Sequence, residues 1–321
     1  MDRASLPIVT IFGASGFVGT QIVQVLARKG YRIRAAVRRP DLAQHLKPLG
    51  DVGQIVPIQA NLRFPESVTR AVAEAGVVIN LVGIGLERGA QRFETVHVEG
   101  ARTVAEAAKA AGAETMVHMS AIGADPESPS AYLRSKGRGE AAVVEAYPDA
   151  IIIRPSLVFG QGDEFFNQLA SVARLSPVMP LIGGKTKFQP VYVGDTADAF
   201  AAAAAGTVKE GKVYELGGPE VVTMKELLQR ILTTTHRRNP LIPLPTGIAR
   251  LIASVMGILP GAALTPDRVT LLGIDNVVSQ SAQRGKRTLA AFGVTPTPMD
   301  AILPSYLWRF RPNGQFDSQP A

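Results

Sequence analysis

The chain has 321 residues, 46% of them hydrophobic, and a formal charge of +7, enough to bury one enlarged domain or two intimate ones. It has no cysteine, which excludes disulfides, thiolate metal sites and cysteine nucleophiles. From His236 onward nine Arg or Lys stand against four Asp; that bias suits an anionic partner surface, either lipid headgroups or an acidic protein face. The basic residues are scattered and lack interleaved aromatics, which argues against nucleic acid. The first seven residues contain no apolar run of signal length, so no cleaved targeting segment is expected. No apolar run reaches the length of a membrane span.

Residues 8–12 read as an apolar strand feeding Gly13-Ala14-Ser15-Gly16-Phe17-Val18-Gly19, from which a helix over 17–29 departs. Gly13 permits a tight turn, Gly16 a close backbone approach to a pyrophosphate, and Gly19 close packing of the helix. The free N–H groups and the positive helix end then face the anion. A second strand, 31–37, ends at Arg38-Arg39. An acid at that place would bind a ribose 2′-hydroxyl; two guanidinium groups instead suit the 2′-phosphate of NADP. Strands follow at 55–58, 77–82, 115–119 and 151–154, with helices near 67–75, 95–111 and 132–146. Ser120 ends one strand, and Tyr132 and Lys136 lie four apart on the next helix, so their side chains share a face. A neighbouring cation would favour the phenolate and bring a proton-transfer group nearer neutral pH. Residues 191–193 and 213–216 read as further pieces of the core, with an alanine-rich helix from about Thr196 between them. Thr223-Met224-Lys225-Glu226 spells a capping box. Prolines 240, 243 and 245 precede a mostly apolar helical stretch, 246–259, too short to span a bilayer.

Continuous apolar strands alternating with helices imply an α/β fold, a Rossmann-type doubly wound parallel sheet with a smaller, mainly helical C-terminal lobe. The sheet domain is expected over 1–160, completed by 190–218. The lobe comprises 161–189 and 219–321. His45, His97, His118 and His236 have no metal-ligand spacing, so no metal site is expected.

The glycine turn, Asn80-Leu81-Val82-Gly83, Tyr132-x-x-x-Lys136 and Arg154-Pro155-Ser156-Leu157-Val158-Phe159-Gly160 resemble the extended and atypical short-chain dehydrogenase/reductase superfamily. Tyr132-Leu133-Arg134-Ser135-Lys136 with Gly139-Glu140, Phe188-Gln189-Pro190-Val191-Tyr192-Val193-Gly194-Asp195 and the 240–245 proline segment are similar to a narrower family, the NADPH-binding accessory subunits of respiratory complex I (NADH:ubiquinone oxidoreductase). The resemblance implies a tightly held NADPH (NADP) touching Gly13, Ser15, Gly16, Phe17, Val18, Gly19, Arg38, Arg39, Asn61, Leu62, Leu81, Val82, Gly83, Ser120, Tyr132, Lys136, Pro155, Ser156 and Val158. If the chain is active, it implies Tyr132 as acid/base, Lys136 as ribose ligand and Ser120 as substrate-orienting group. It further implies other complex I subunits as partners and a membrane surface met through 241–264. The location would then be peripheral, on the cytoplasmic face of a bacterial inner membrane or the mitochondrial matrix side. Two positions depart from the superfamily pattern: Asn61-Leu62 where Asp is usual, and His97 where Asn is common. His97 is therefore expected to serve as a structural hydrogen-bonding residue. The alternatives are an active NADP-dependent reductase or epimerase/dehydratase, and a redox-sensing binding module.

Overall fold

Short runs rich in β-branched residues form the centre of the first of two units. The computed structural model describes residues 7–256 and 264–316. β1 (Ile8–Phe12), β2 (Arg32–Val37), β3 (Ile55–Gln59), β4 (Ala75–Asn80), β5 (Thr115–Met119) and β6 (Ile151–Pro155) join a seventh strand, Val213–Leu216. From one edge, that seventh strand is followed by β6, β5, β4, β1, β2 and β3, and every pairing is parallel. The connections from β1 to β3 and from β4 to β6 run in opposite directions, so a crevice opens beyond the carboxyl ends of β1 and β4.

Helices cover both faces of the sheet. α1 (Phe17–Arg28) packs beside the helix Val193–Ala204, and α2 (Pro65–Val72), α3 (Gly100–Ala110) and α4 (Ala131–Ala146) lie side by side. The second group shares a core with the sheet: Phe12, Val78, Met116 and Ile152 meet Val68, Val72, Val104, Ala108 and Val143. Alanines on α3 allow this close layer, since Ala101, Ala105 and Ala108 are all buried.

Several boundaries differ from the sequence reading. β4 begins at Ala75 and stops at Asn80; Leu81 still bonds to β1 through its N–H, and Val82 leaves the sheet. Val82 N–H is instead taken by the Asn80 Oδ1 at 3.1 Å. α2 starts at Pro65 and ends early, because Ala73 is extended and Glu74 has φ +60°. The stretch 94–99 is a π-helix that precedes α3. Residues 191–192 pair with 158–159 and are outside the seven-stranded sheet.

The first unit comprises Met1–Pro155, Val193–Leu216 and Ser279–Thr295. The second comprises Ser156–Tyr192, Gly217–Val278 and Pro296–Ala321. The sequence reading put 279–295 in the lobe. Instead Ser279 N–H donates to Glu215 at 2.7 Å, Glu215 N–H donates to the Arg287 carbonyl at 3.0 Å, and Phe292 meets Tyr214 edge-on. In the second unit, short strand pairs and the helices Phe165–Leu175, Met224–Thr234 and Met299–Leu307 enclose a separate core around Phe159, Phe166, Leu228 and Leu303. The capping box at Thr223 and Glu226 is present. The helix Thr246–Met256 turns Ala249 and Ala253 inward and leaves Ile248, Leu251 and Ile252 exposed. Residues 257–259 of the expected apolar helix lie outside the described residues.

Candidate functional site

The turn between β1 and α1 is built by its glycines. Gly13 has φ +80°, and a Cβ on Gly19 would stand 2.3 Å from the Gly13 carbonyl oxygen, so only glycine lets α1 start this close to the strand. Gly16 is the N-cap and supplies no side-chain acceptor, and the first turn of α1 carries no acid. Ser15 and Gly16 are exposed, with Phe17 and Val18 half-buried behind them. The helix start therefore offers uncapped N–H groups and positive potential to an incoming anion.

Arg38 and Arg39 follow β2, both exposed. Arg39 is held by Asp41 at 3.1 Å, and the guanidinium keeps that carboxyl below its usual range. Arg38 makes no hydrogen bond or ion pair among the described residues. Beyond β3, Asn61 Oδ1 accepts from Arg63 N–H at 3.2 Å, and Leu62 packs against Gly100 and the α2–α4 core.

On the other side of β1, Leu81 N–H donates to the Phe12 carbonyl at 3.0 Å. A Cβ on Gly83 would come 3.5 Å from His97 Nε2 and 3.8 Å from Lys136 Nζ. The loop after β4 therefore meets the residues of α4. Ser130 caps α4 and sets its entry. Lys136 is buried, and its ammonium donates to the Met119 carbonyl at 2.8 Å. Ser120 is 2% exposed, and its Oγ is the one buried side-chain oxygen or nitrogen without a hydrogen-bond partner among the described residues. Buried hydroxyls are rarely left so; a ligand oxygen would satisfy it.

The expected phenolate-favouring effect of Lys136 is not what the structure shows. Burial pushes the Tyr132 phenol up to about 12 and the Lys136 ammonium down to about 8. Desolvation penalises the charged form of each, and it outweighs their spacing on one helix face. At neutral pH Tyr132 is therefore a neutral phenol, a proton donor.

His97 does serve as a structural hydrogen-bonding residue. Its Nε2 accepts from Ile84 N–H at 2.9 Å, and its Nδ1 lies 2.8 Å from Ser135 Oγ. Because an amide can only donate, the proton sits on Nδ1. Burial and the Lys136 charge hold the imidazole down to about 3. Sequence reasoning used Asn80 as part of a motif and His118 only in excluding a metal, and gave neither a site role; they are cross-strand neighbours 3.2 Å apart beneath the site. They are 38 residues apart in the chain, and only the β4–β5 register joins them. No cluster of three or more His, Asp or Glu among the described residues could hold a metal ion.

Pro155 ends β6, and its carbonyl accepts from Ile122 N–H at 3.1 Å. Ser156 and Val158 belong to the second unit. Ser156 Oγ lies 2.6 Å from Asn276 Oδ1 there, and Val158, in the two-residue strand Val158–Phe159, pairs with Val191.

Residues 9–217 match the NAD dependent epimerase/dehydratase family. NADH dehydrogenase (ubiquinone) 1 alpha subcomplex subunit 9, mitochondrial, of Rattus norvegicus is 36% identical over 297 residues, covering 91% of this chain and 78% of the relative. A ceramide reductase of Caulobacter vibrioides is 35% identical over 190 residues, 59% of this chain and 58% of that one. Among solved structures, an NADPH-dependent quinone oxidoreductase from Escherichia coli complexed with NADPH superposes with a TM-score of 0.71 at 22% identity, covering 90% of this chain and 96% of that one; this likeness concerns the fold. The sheet order, the glycine turn and a match that continues well past residue 217 make the chain a member of the NAD dependent epimerase/dehydratase family and, within it, of the family of the complex I alpha subcomplex subunit 9.

Proposed function

We propose that the chain is an NADP(H)-holding accessory subunit of a complex I-type NADH:ubiquinone oxidoreductase, peripheral to the membrane. The observation that carries this reading is the 36% identity over 91% of the chain, which takes in the second unit as well as the nucleotide-binding part. The residues present fit the nucleotide. The uncapped start of α1 suits a diphosphate, Arg38 suits a 2′-phosphate, and the orphaned Ser120 Oγ suits a ligand oxygen near Lys136. Bound only to the folded chain, the nucleotide would stabilise the first unit by mass action.

The second unit supports attachment at a lipid surface through 241–264. No acidic residue lies between Glu226 and Asp267, while Arg237, Arg238 and Arg250 do; Arg230, in the same stretch, is already paired with Glu220 and Asp300. Ile242, Ile248, Leu251 and Ile252 are exposed there. Apolar side chains interleaved with arginines suit an anionic interface. Residues 257–263 of that segment lie outside the described ones. No helix among the described residues is long and apolar enough to cross a membrane. The location is the cytoplasmic face of a bacterial inner membrane, or the matrix side in a mitochondrion.

The test is gentle detergent extraction of native membranes, followed by identification of co-migrating chains and of the nucleotide released on denaturation. Co-migration with NADH:ubiquinone oxidoreductase subunits and release of NADP(H) are expected. Absence from that assembly overturns the assignment.

A second reading, an active NADP-dependent reductase, draws on the neutral Tyr132 phenol beside Lys136 and on the ceramide reductase relative. Bound NADPH would supply a hydride. Ser120 would hold a carbonyl oxygen and Tyr132 would protonate it. Tyr132→Phe should then abolish oxidation of NADPH by a carbonyl substrate while leaving NADPH binding within about twofold; persistence of turnover rejects the role.

A further inference from the structure

His97 joins three segments that are far apart in sequence. It sits on the π-helical stretch Glu94–Glu99, the one residue of that stretch that is buried, and it is 2% exposed. Its Nε2 takes the Ile84 N–H, and its Nδ1–H faces Ser135 Oγ, which in turn donates to the Tyr132 carbonyl at 2.7 Å. The ring stacks on Phe93 at 5.4 Å and meets Tyr132 edge-on at 5.6 Å. Behind it, a Cβ on Gly139 would stand 2.1 Å from the His97 carbonyl oxygen, so α4 lies directly on the π-helix.

These contacts all fall on one side of the sheet. Arg38 follows β2 and Gly83 follows β4, and the two strands flank β1 and its anion-binding turn. A dinucleotide with its diphosphate on that turn and its 2′-phosphate at Arg38 must therefore carry its other nucleoside over β4 and β5, towards Gly83, Ser120 and Lys136.

We propose that His97 is a positioning residue that clips the loop after β4 to α4, preforming the seat for the half of the dinucleotide remote from the arginines. The proposal rests on the NADP(H) reading above. The clip works because one neutral imidazole spans the gap, accepting from the loop with one nitrogen and donating towards α4 with the other. Without it, the Ile84 N–H and the Ser135 hydroxyl lose a buried partner, and Gly83 is no longer fixed against Lys136.

Two ligands separate this role from general stability. Adenosine 2′,5′-bisphosphate occupies only the arginine side, whereas NADPH reaches both sides. Calorimetry on the full chain should show that His97→Ala raises the NADPH Kd about tenfold while adenosine 2′,5′-bisphosphate stays within about twofold. Glutamine extends as far as Nε2 and keeps the Ile84 bond; asparagine extends only as far as Nδ1. His97→Gln should therefore hold NADPH within about threefold and His97→Asn should lose about tenfold. This pair decides the question if His97→Ala does not fold. Equal weakening of both ligands, or unchanged NADPH affinity in every folded variant, overturns the clip. Wild-type protein that binds neither ligand refutes the NADP(H) reading itself, and the clip with it.

Discussion

At Gly19 a methyl group would press 2.3 Å from the Gly13 carbonyl and 2.7 Å from that of Ala14. Gly19→Ala should cost about 3 kcal/mol in urea unfolding, because backbone and not a flexible side chain must yield. Arg38 and Arg39 look equivalent in the sequence, and the structure separates them: Asp41 engages Arg39. Arg38→Ala should therefore weaken NADPH about tenfold or more and leave NADH unchanged, with Arg39→Ala closer to neutral; calorimetry with both coenzymes checks this. His97 supplies a pH effect of defined sign. Its folded value is about 3 against 6.5 for an ordinary imidazole. As pH drops below 6.5 the unfolded chain takes up a proton that the fold refuses, so stability falls by about 1.4 kcal/mol per pH unit until about pH 3. The buried, downshifted His118 acts in the same direction. Urea midpoints at pH 7 and pH 5 should show a loss of about 2 kcal/mol from His97, absent in His97→Gln.

At the scale of elements, α4 is tied to the sheet by charge. Arg154 on β6 makes a two-pronged pair with Glu140 on α4, at 2.8 and 2.6 Å, and lies 3.7 Å from Glu215 on the seventh strand. Both carboxylates are nearly buried. Arg154→Met would leave both without their cation, Glu215 keeping only the Ser279 N–H, and should cost about 3–5 kcal/mol in chemical denaturation. Replacing all three groups together should cost less than the single change. The Gly139-Glu140 and Arg154-Pro155 pairs were legible as motifs, yet their purpose was not, because the pairing joins elements separated by sequence. The π-helix at 94–99 escaped the reading for a related reason. Helical periodicity over 95–111 reports an amphipathic helix, and one extra residue in a turn hardly alters that pattern.

For the whole molecule, nucleotide linkage gives a direct measurement. NADPH at one hundred times its Kd adds about 2.7 kcal/mol to whatever unfolds with the site, raising its melting midpoint by roughly 5–10 °C. NADH should raise it less, because Arg38 has no 2′-phosphate to meet. Differential scanning calorimetry with each coenzyme checks both statements, and equal shifts would remove the basis for NADP preference. The two-unit division bears on this experiment: 279–295 return to the sheet unit after a long excursion, so its transition includes a late segment of the chain. Charge counts and apolar periods gave no sign of that return.

Locally encoded features were readable in advance. A strand that turns on Gly13 and leaves as α1, the parallel α/β alternation, the cap at Thr223 and the four-residue spacing of Tyr132 and Lys136 all depend on neighbours within a few positions. Tertiary structure decided which arginine has no partner among the described residues, that Ser120 Oγ has none among them either, that His97 bridges the loop after β4 to α4, and that burial moves Tyr132 up and Lys136 down. Desolvation and long-range hydrogen bonds depend on what chain folding brings together, and no spacing along a sequence states that.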